Sequence, residues 1–422
     1  MRADAVIVGA RCSGAATALL LARAGARVVL VDKGAYGSDA LSTHALMRGG
    51  VLQLHRWGLL PTLVAAGTPP VHSTTFSYRE QDVTVPIEPR FGVSALYAPR
   101  RALLDRTLVD AAADSGADVR YGVRVDDVIL DDRGGVRGIT AVAGGTRHRI
   151  DADMVIGADG LHSIIAQRVG AARVVEGRHS TGVLYSYWED LPVDGYYWRF
   201  RTGASIGAIP TNDGATCVFV SVPSGRFRSE IPRDAVSAYR RLIREVSAGF
   251  DARLDAARRV EPIRGFGGQV GFIKRSSGPG WALVGDAGYF KDPLTAHGIT
   301  DALRDSELLA RAVMQGTTAA LADYETTRHD LSRRLFDITD DIASFAWTDD
   351  EVQSLHRAFS TEMSREVRAL AALEPLTCRL PSASEPHVAC CGRELAGASE
   401  EVTAIATNYQ RGLSSWMGRT RE

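Results

Sequence analysis

The feature that most constrains this chain is its start: two unbroken apolar runs joined by a glycine turn and an alanine- and leucine-rich segment. Ala5–Val8 reads as a buried parallel strand, Gly9–Gly14 (GARCSG) as a turn, the stretch to about Ala24 as a helix, and Val28–Val31 as a second strand ending in Asp32. Strands covered on both faces show continuous rather than alternating hydrophobicity, and Gly25 supplies a helix stop. Gly9 suits a tight turn, Gly14 and Ala18 permit close helix–strand packing, and Asp32 falls roughly 20 residues on, where a carboxylate can accept hydrogen bonds from a ribose. Arg11 stands where the dinucleotide fingerprint has its second glycine. Two readings stay open: an arginine that turns outward onto phosphate, or a nucleotide-free fold. Ala15-Ala16 after Gly14 excludes a phosphate loop of the lysine type.

Two further strand ends repeat the theme. Met154–Ile156 leads into Gly157-Ala-Asp159-Gly160, and Trp281–Val284 leads into Gly285-Asp286, followed by a loop with Pro293 and a helix beginning near Gly298 and Ile299. A carboxylate at the carboxyl end of a parallel strand can bind a polyol, and a helix start offers free N–H groups to a polarised oxygen. Arg48, in RGGVLQ, opens a helix ending near Leu60 and can fork onto a diphosphate. His44, one helical turn earlier, faces either a ligand or only its own loop. Arg101, Leu104 and Leu108 start another amphipathic helix, with Arg100 as a rival for any ligand contact.

Between these blocks the pattern alternates. Val71–Val93 and Gly182–Val270 read as excursions into a mostly antiparallel sheet, with a helix over Ser229–Ala248 and aromatic residues Tyr185, Tyr187, Tyr197 and Trp198 as pocket or core. Val119–Val125 and Val136–Val142 read as paired strands around Asp132-Arg-Gly-Gly. Leu321–Ala346 is amphipathic helix, Pro375–Gly392 is irregular, and Glu400–Trp416 reads as a last helix.

Composition excludes several partner classes. Across 422 residues, 49 Lys and Arg face 50 Asp and Glu, so no global field favours nucleic acid or an anionic membrane. The five cysteines lack metal or redox spacing, which predicts reduced thiols and no metal. Arg23 and Arg27 interrupt the one long apolar run, so the expectation is a cytoplasmic protein without stable membrane insertion, acting on small molecules.

Gly285-Asp286, Pro293, Gly298 and Asp305 stand at the spacing of the GD motif of FAD-dependent aromatic hydroxylases, the group A or p-hydroxybenzoate hydroxylase-like flavoprotein monooxygenases, which the chain resembles over roughly residues 1–340. The Asp159-Gly160 segment is similar to their DG motif, and Arg101, Leu104 and Leu108 to their RxxLxxxL signature. The resemblance implies an α/β, glutathione-reductase-like FAD-binding Rossmann-type fold with an inserted, mostly antiparallel β-sheet substrate domain and a helical C-terminal region. Residues 1–70, 97–180 and 271–345 would bind FAD, 71–96 and 181–270 the substrate, and 346–422 would be helical. It further implies that Gly9, Arg11, Gly14, Asp32, Arg48, Arg101, Asp159, Gly160, Gly285, Gly298 and Ile299 serve the cofactor. Asp286 would hold the ribityl chain, and Pro293 would line the flavin ring. The chain departs from the family at His297, at Thr300, and at Ala166, where the DG motif continues to an arginine.

In the family's chemistry NAD(P)H reduces the flavin, molecular oxygen adds to give a C4a-hydroperoxide, and an electron-rich, aromatic or other small apolar substrate attacks it. No second GxGxxG follows a strand, so hydride would come from a transiently docked nicotinamide or from a partner flavin reductase. His44 and His297 are the candidates for proton transfer beside Pro293, because imidazole titrates closest to working pH. PLTAHGI also resembles the PxTGEGI of geranylgeranyl-reductase-like proteins, which leaves a reductase or dehydrogenase of an unsaturated, prenyl-like substrate as the rival. A non-catalytic FAD or ligand escort is a third reading. The chain has no GWxWxIP run of a halogenase.

Overall fold

The computed structural model describes residues 2–79, 81–231 and 234–376. Strand β1 (Ala3–Val8), helix α1 (Cys12–Arg23) and strand β2 (Val28–Asp32) follow the order read from the sequence. Helices α2 (Arg48–Arg56) and α3 (Arg101–Asp114) come next, then strands β3 (Asp118–Tyr121), β4 (Thr146–Gly157) and β5 (Trp281–Leu283). The five strands form a parallel layer in the order β5–β4–β1–β2–β3. In β1, Ala5 and Ile7 join the core under α1, whereas Val6 and Val8 join a second cluster with Val123, Val136, Ile139 and Leu283 on the opposite face. A strand with neighbours on both sides and cover on both faces has no polar position to offer, which is why its sequence does not alternate.

Two expectations need correction here. Val119–Val125 is not one strand: its first half extends the parallel layer as β3, and after Gly122, whose φ of 70° is left-handed, the chain turns into Val123–Leu130, the partner of Val136–Ala143. The expected helix over Ser229–Ala248 is three shorter ones, Ser224–Glu230, Ala235–Val246 and Ala248–Arg253. Asp234 caps the second through Ser237 N–H, and Ser247 caps the third through Phe250 N–H, so local side-chain capping restarts the helix twice.

The second sheet runs in the order Arg258–Arg259, Thr181–Glu189, Thr216–Pro223, Ala204–Pro210, Tyr196–Arg201, Ser73–Tyr78, Gln81–Pro86. It is antiparallel except where Tyr196–Arg201 meets Ser73–Tyr78. One face, with Leu184, Ile206 and Val220, packs on the helix Ala235–Val246; the other, with Tyr185, Tyr187, Tyr196, Trp198 and Phe219, packs into the core shared with α1 and β1. Neighbouring strand residues face opposite ways. Tyr197 therefore stacks on Phe250 on the far face, at 5.6 Å between ring centres, and cannot line one pocket with Trp198.

After β5 come helices α4 (Gly298–Gln315), α5 (Thr318–Ala343) and α6 (Asp349–Ala371). Helix α6 starts with a capping box between Thr348 and Glu351 and buries Val352, Phe359 and Leu370 against α2 and α5. The expected helix Glu400–Trp416, most of Pro375–Gly392, and Cys378, Cys390 and Cys391 lie outside the described residues; Cys12 and Cys217 are buried free thiols. No described helix is long and apolar enough to cross a membrane.

Candidate functional site

The carboxyl ends of β1, β4 and β5 meet the starts of α1 and α4. At Gly9, with φ of 105°, an added Cβ would lie 2.4 Å from the Ala158 carbonyl oxygen, and at Gly14 it would lie 1.8 Å from the Gly9 carbonyl oxygen. Only bare backbone fits there, and it brings the first turn of α1 up to the sheet end. The residue preceding α1, Arg11, provides no side-chain cap, and neither does His297 before α4, so each first turn presents amide donors and the positive end of a helix dipole. The two helices are tied together by the Ser306 hydroxyl, which donates to Ser13 O at 2.9 Å, and Gly285 packs against the Ser13 side chain.

Asp286 and Gly298 are both exposed, although the residues on either side of Asp286 and the one preceding Gly298 are buried. Asp286 sits on an accessible surface hemmed in by protein; that crowding raises its carboxyl pKa to about 6, with Arg101 pulling it back down. Asp159 accepts from Ile164 N–H at 2.6 Å with one oxygen, while its other oxygen has no partner; burial raises its pKa too. Gly160 beside it is half-exposed. Asp32 accepts from Ala10 N–H at 2.7 Å and Gly34 N–H at 2.6 Å, so it braces the turn after β1.

The arginines separate by what they touch. Arg101 makes a paired contact with Asp105 at 3.0 Å, beside Cys12, whose thiol donates to Asp105 at 3.0 Å. Arg100 lies over the Tyr187 ring at 3.7 Å and bonds Glu261, facing the second sheet instead. Arg11 reaches Asp105 at 3.6 Å and the Ser38–Asp39 loop. Arg48 donates to Val93 O at 2.9 Å and Glu88 O at 2.7 Å, so in this structure it pins the Glu88–Val93 segment.

His44 and His297 contact different groups. His44 is buried, bridges Ala98 O at 3.2 Å and the Tyr187 hydroxyl at 3.0 Å, and stacks on the Tyr187 ring. Burial next to Arg100 pushes its pKa down to about 3. The His297 ring is buried on the inner side of the loop whose outer side carries exposed Gly298, with half-buried Pro293 and Ile299 nearby in sequence. Of the buried residues grouped with it, sequence reasoning had named Asp305 in the GD spacing and missed Lys291, Asp301, Arg304 and, from α6, Glu366. The signal for part of this group was the i, i+4 spacing of His297 and Asp301; nothing local pointed to Glu366.

Uncapped helix starts gathered at one end of a parallel layer make this a dinucleotide-binding α/β protein. The FAD binding domain family matches residues 2–339, and the chain belongs to that family. A menaquinone reductase of Mycolicibacterium smegmatis is 28% identical over 352 residues, spanning 77% of this chain and 79% of the relative. A digeranylgeranylglycerophospholipid reductase of Methanothrix thermoacetophila is likewise 28% identical, over 77% and 82%. Among solved structures, the flavin-dependent brominase Bmp2 superposes with a TM-score of 0.70 at 20% identity, covering 88% of this chain and 94% of that one. PqsL of P. aeruginosa superposes at 0.68 with 18% identity, over 86% and 100%. These structures share the fold. The chain is an FAD-dependent oxidoreductase by its family and relatives. Its residues fit the cofactor: Gly9 and Gly14 let the uncapped start of α1 come up to the sheet end, Asp159 keeps an unpartnered acceptor, and exposed Asp286 and Gly298 offer a carboxylate and a bare helix start.

Proposed function

We propose that the protein is an FAD-dependent monooxygenase that hydroxylates an aromatic or other electron-rich small molecule, with NAD(P)H as reductant. The observation that carries this reading is the filled inner face of the second sheet. Tyr185, Tyr187, Tyr196, Trp198 and Phe219 are each at most 5% exposed and pack against one another and His44. Packed this closely, they leave no wide apolar tunnel along this face for a long chain, which supports a compact substrate over a prenyl-like one. When bound, FAD supplies the electron transfer and oxygen activation; this chain's residues hold it, orient it and exclude water.

A second reading, reduction of an unsaturated prenyl-like substrate, is supported by the two reductases that align over most of the chain. Mixing the FAD-loaded protein anaerobically with NADPH or NADH, then admitting air with candidate phenols, separates the readings. Flavin bleaching followed by an oxygenated product supports the monooxygenase. Oxygen-independent saturation of a prenyl compound would replace it with the reductase.

A further inference from the structure

Behind the loop that carries Gly298 lies a closed group of charges. His297 Nδ1 is 3.0 Å from Lys291 Nζ and 3.1 Å from Asp301 Oδ1, and His297 Nε2 is 3.0 Å from Glu366 Oε2. Lys291 also bonds Asp301 directly. Arg304 bonds Asp301 at 2.8 Å, Glu366 at 2.7 Å and Asp305 at 2.7 Å. Arg328 and Tyr289 close the group from α5 and from the strand after Asp286, and every member is buried. By themselves, His297, Asp301 and Glu366 have the spacing of a metal site. Lys291 and Arg304 already occupy the carboxylates, however, so a divalent cation would have to displace two cations.

An ammonium 3.0 Å from an imidazole nitrogen cannot donate to it while that nitrogen keeps its own proton. Either Nδ1 accepts from the ammonium, or it keeps a proton aimed at Asp301 Oδ1 while the ammonium turns to Asp301, so the contact fits two states that differ by one proton. Asp301, Asp305 and Glu366 contribute three negative charges and Arg304 and Arg328 two positive ones. With one positive charge on the Lys291–His297 pair the group is neutral; with both members protonated it carries a single positive charge. Burial makes such a balance strongly dependent on any charge that arrives nearby.

We infer that Lys291 and His297 form a proton reservoir for the flavin site, taking up one proton from solvent when negative charge develops above Gly298. Two electrons from a hydride donor and one proton leave the ring of FAD with one negative charge, and the proton gained by the pair compensates it. Asp286, the exposed acid on the same strand end, feels the charges of Lys291, Asp301 and Asp305, so the group and the site are electrostatically joined. Burial opposes charge on both members, but Glu366 and Asp301 leave His297 with a raised pKa while Lys291 is lowered, which brings the two toward a common value. His297 and Lys291 are positioning residues in this scheme. The inference rests on the flavin lying at Gly298, and not on what the flavin then oxidises.

The test is a proton count during anaerobic photoreduction of the FAD-loaded full chain with a pH indicator, from about pH 5 to pH 8. The absorption of the reduced flavin gives the protons it holds itself. Wild type is expected to take up an excess approaching one proton per FAD within this range, and Lys291→Met and His297→Gln to take up none beyond the flavin's own. A wild type without excess anywhere in the range overturns the inference, whether or not the variants fold. So does an excess that survives both substitutions. Turnover plays no part in the readout, so a failure here is separable from a failure of the monooxygenase reading.

Discussion

Replacing Gly298 with alanine tests the placement of the cofactor without disturbing the fold. A Cβ built on Gly298 meets no heavy atom within 4 Å, and its φ is not in the left-handed region, so alanine adds no clash and no backbone strain. At the start of α4 the change should stabilise the cofactor-free protein by up to about 1 kcal/mol, through helix propensity and a less flexible unfolded chain. That corresponds to a rise in Tm of about 2 °C. The same methyl extends about 1.5 Å over an uncapped helix start. If FAD packs there, accommodating it resembles overfilling a packed site, about 1–3 kcal/mol, or a loss of roughly 5- to 150-fold in affinity. Fluorescence titration of apoprotein with FAD, beside thermal unfolding of the same sample, reads both quantities. Wild-type affinity in a fully folded Gly298→Ala protein would refute the placement of the ring at α4.

Three further outcomes follow from named contacts. His44 is neutral in the folded protein because its pKa falls to about 3, so its stabilising contribution is complete above pH 6.5 and is lost as pH drops toward 3. His44→Gln should remove on the order of 4 kcal/mol of that pH dependence, read from urea unfolding across the range. Asp292 accepts from Thr181 N–H at 2.6 Å, from the Thr181 hydroxyl at 2.7 Å and from Leu294 N–H at 3.0 Å, tying the second sheet to the Pro293 loop. Asp292→Ala strands these buried donors and should destabilise by about 3 kcal/mol or more; a Tm within about 1 °C of wild type would contradict that role. Ala296 holds φ of 50°, so Ala296→Gly should stabilise by about 1 kcal/mol, seen as a higher Tm, and a lower Tm would show that the methyl makes a compensating contact.

What the sequence disclosed and what it hid divide by range of interaction. The centre of the parallel layer was legible because β1, β2, the last residues of β4 and β5 are local apolar runs whose ends carry their own glycine or acid: Gly9, Asp32, Gly157 and Gly285 announce themselves within a few residues. The break at Gly122 was equally local, but a glycine between two apolar stretches is compatible with one bent strand or two, and only pairing partners decide. Arg48 shows the limit differently. Its place at the start of α2 was readable, whereas its partners, the carbonyls of Glu88 and Val93, belong to an excursion some 40 positions later. The charge cluster is the extreme case. His297 and Asp301 are one helical turn apart, yet the group is complete only when Glu366 arrives from α6, 62 positions beyond Arg304. A buried lysine in isolation is costly, so Lys291 stays charged only where carboxylates converge on it. Asp301 meets it directly, and Glu366 joins the same group through His297 and Arg304. The last described helix, which carries no motif of its own, thus helps to set the electrostatics at the start of α4.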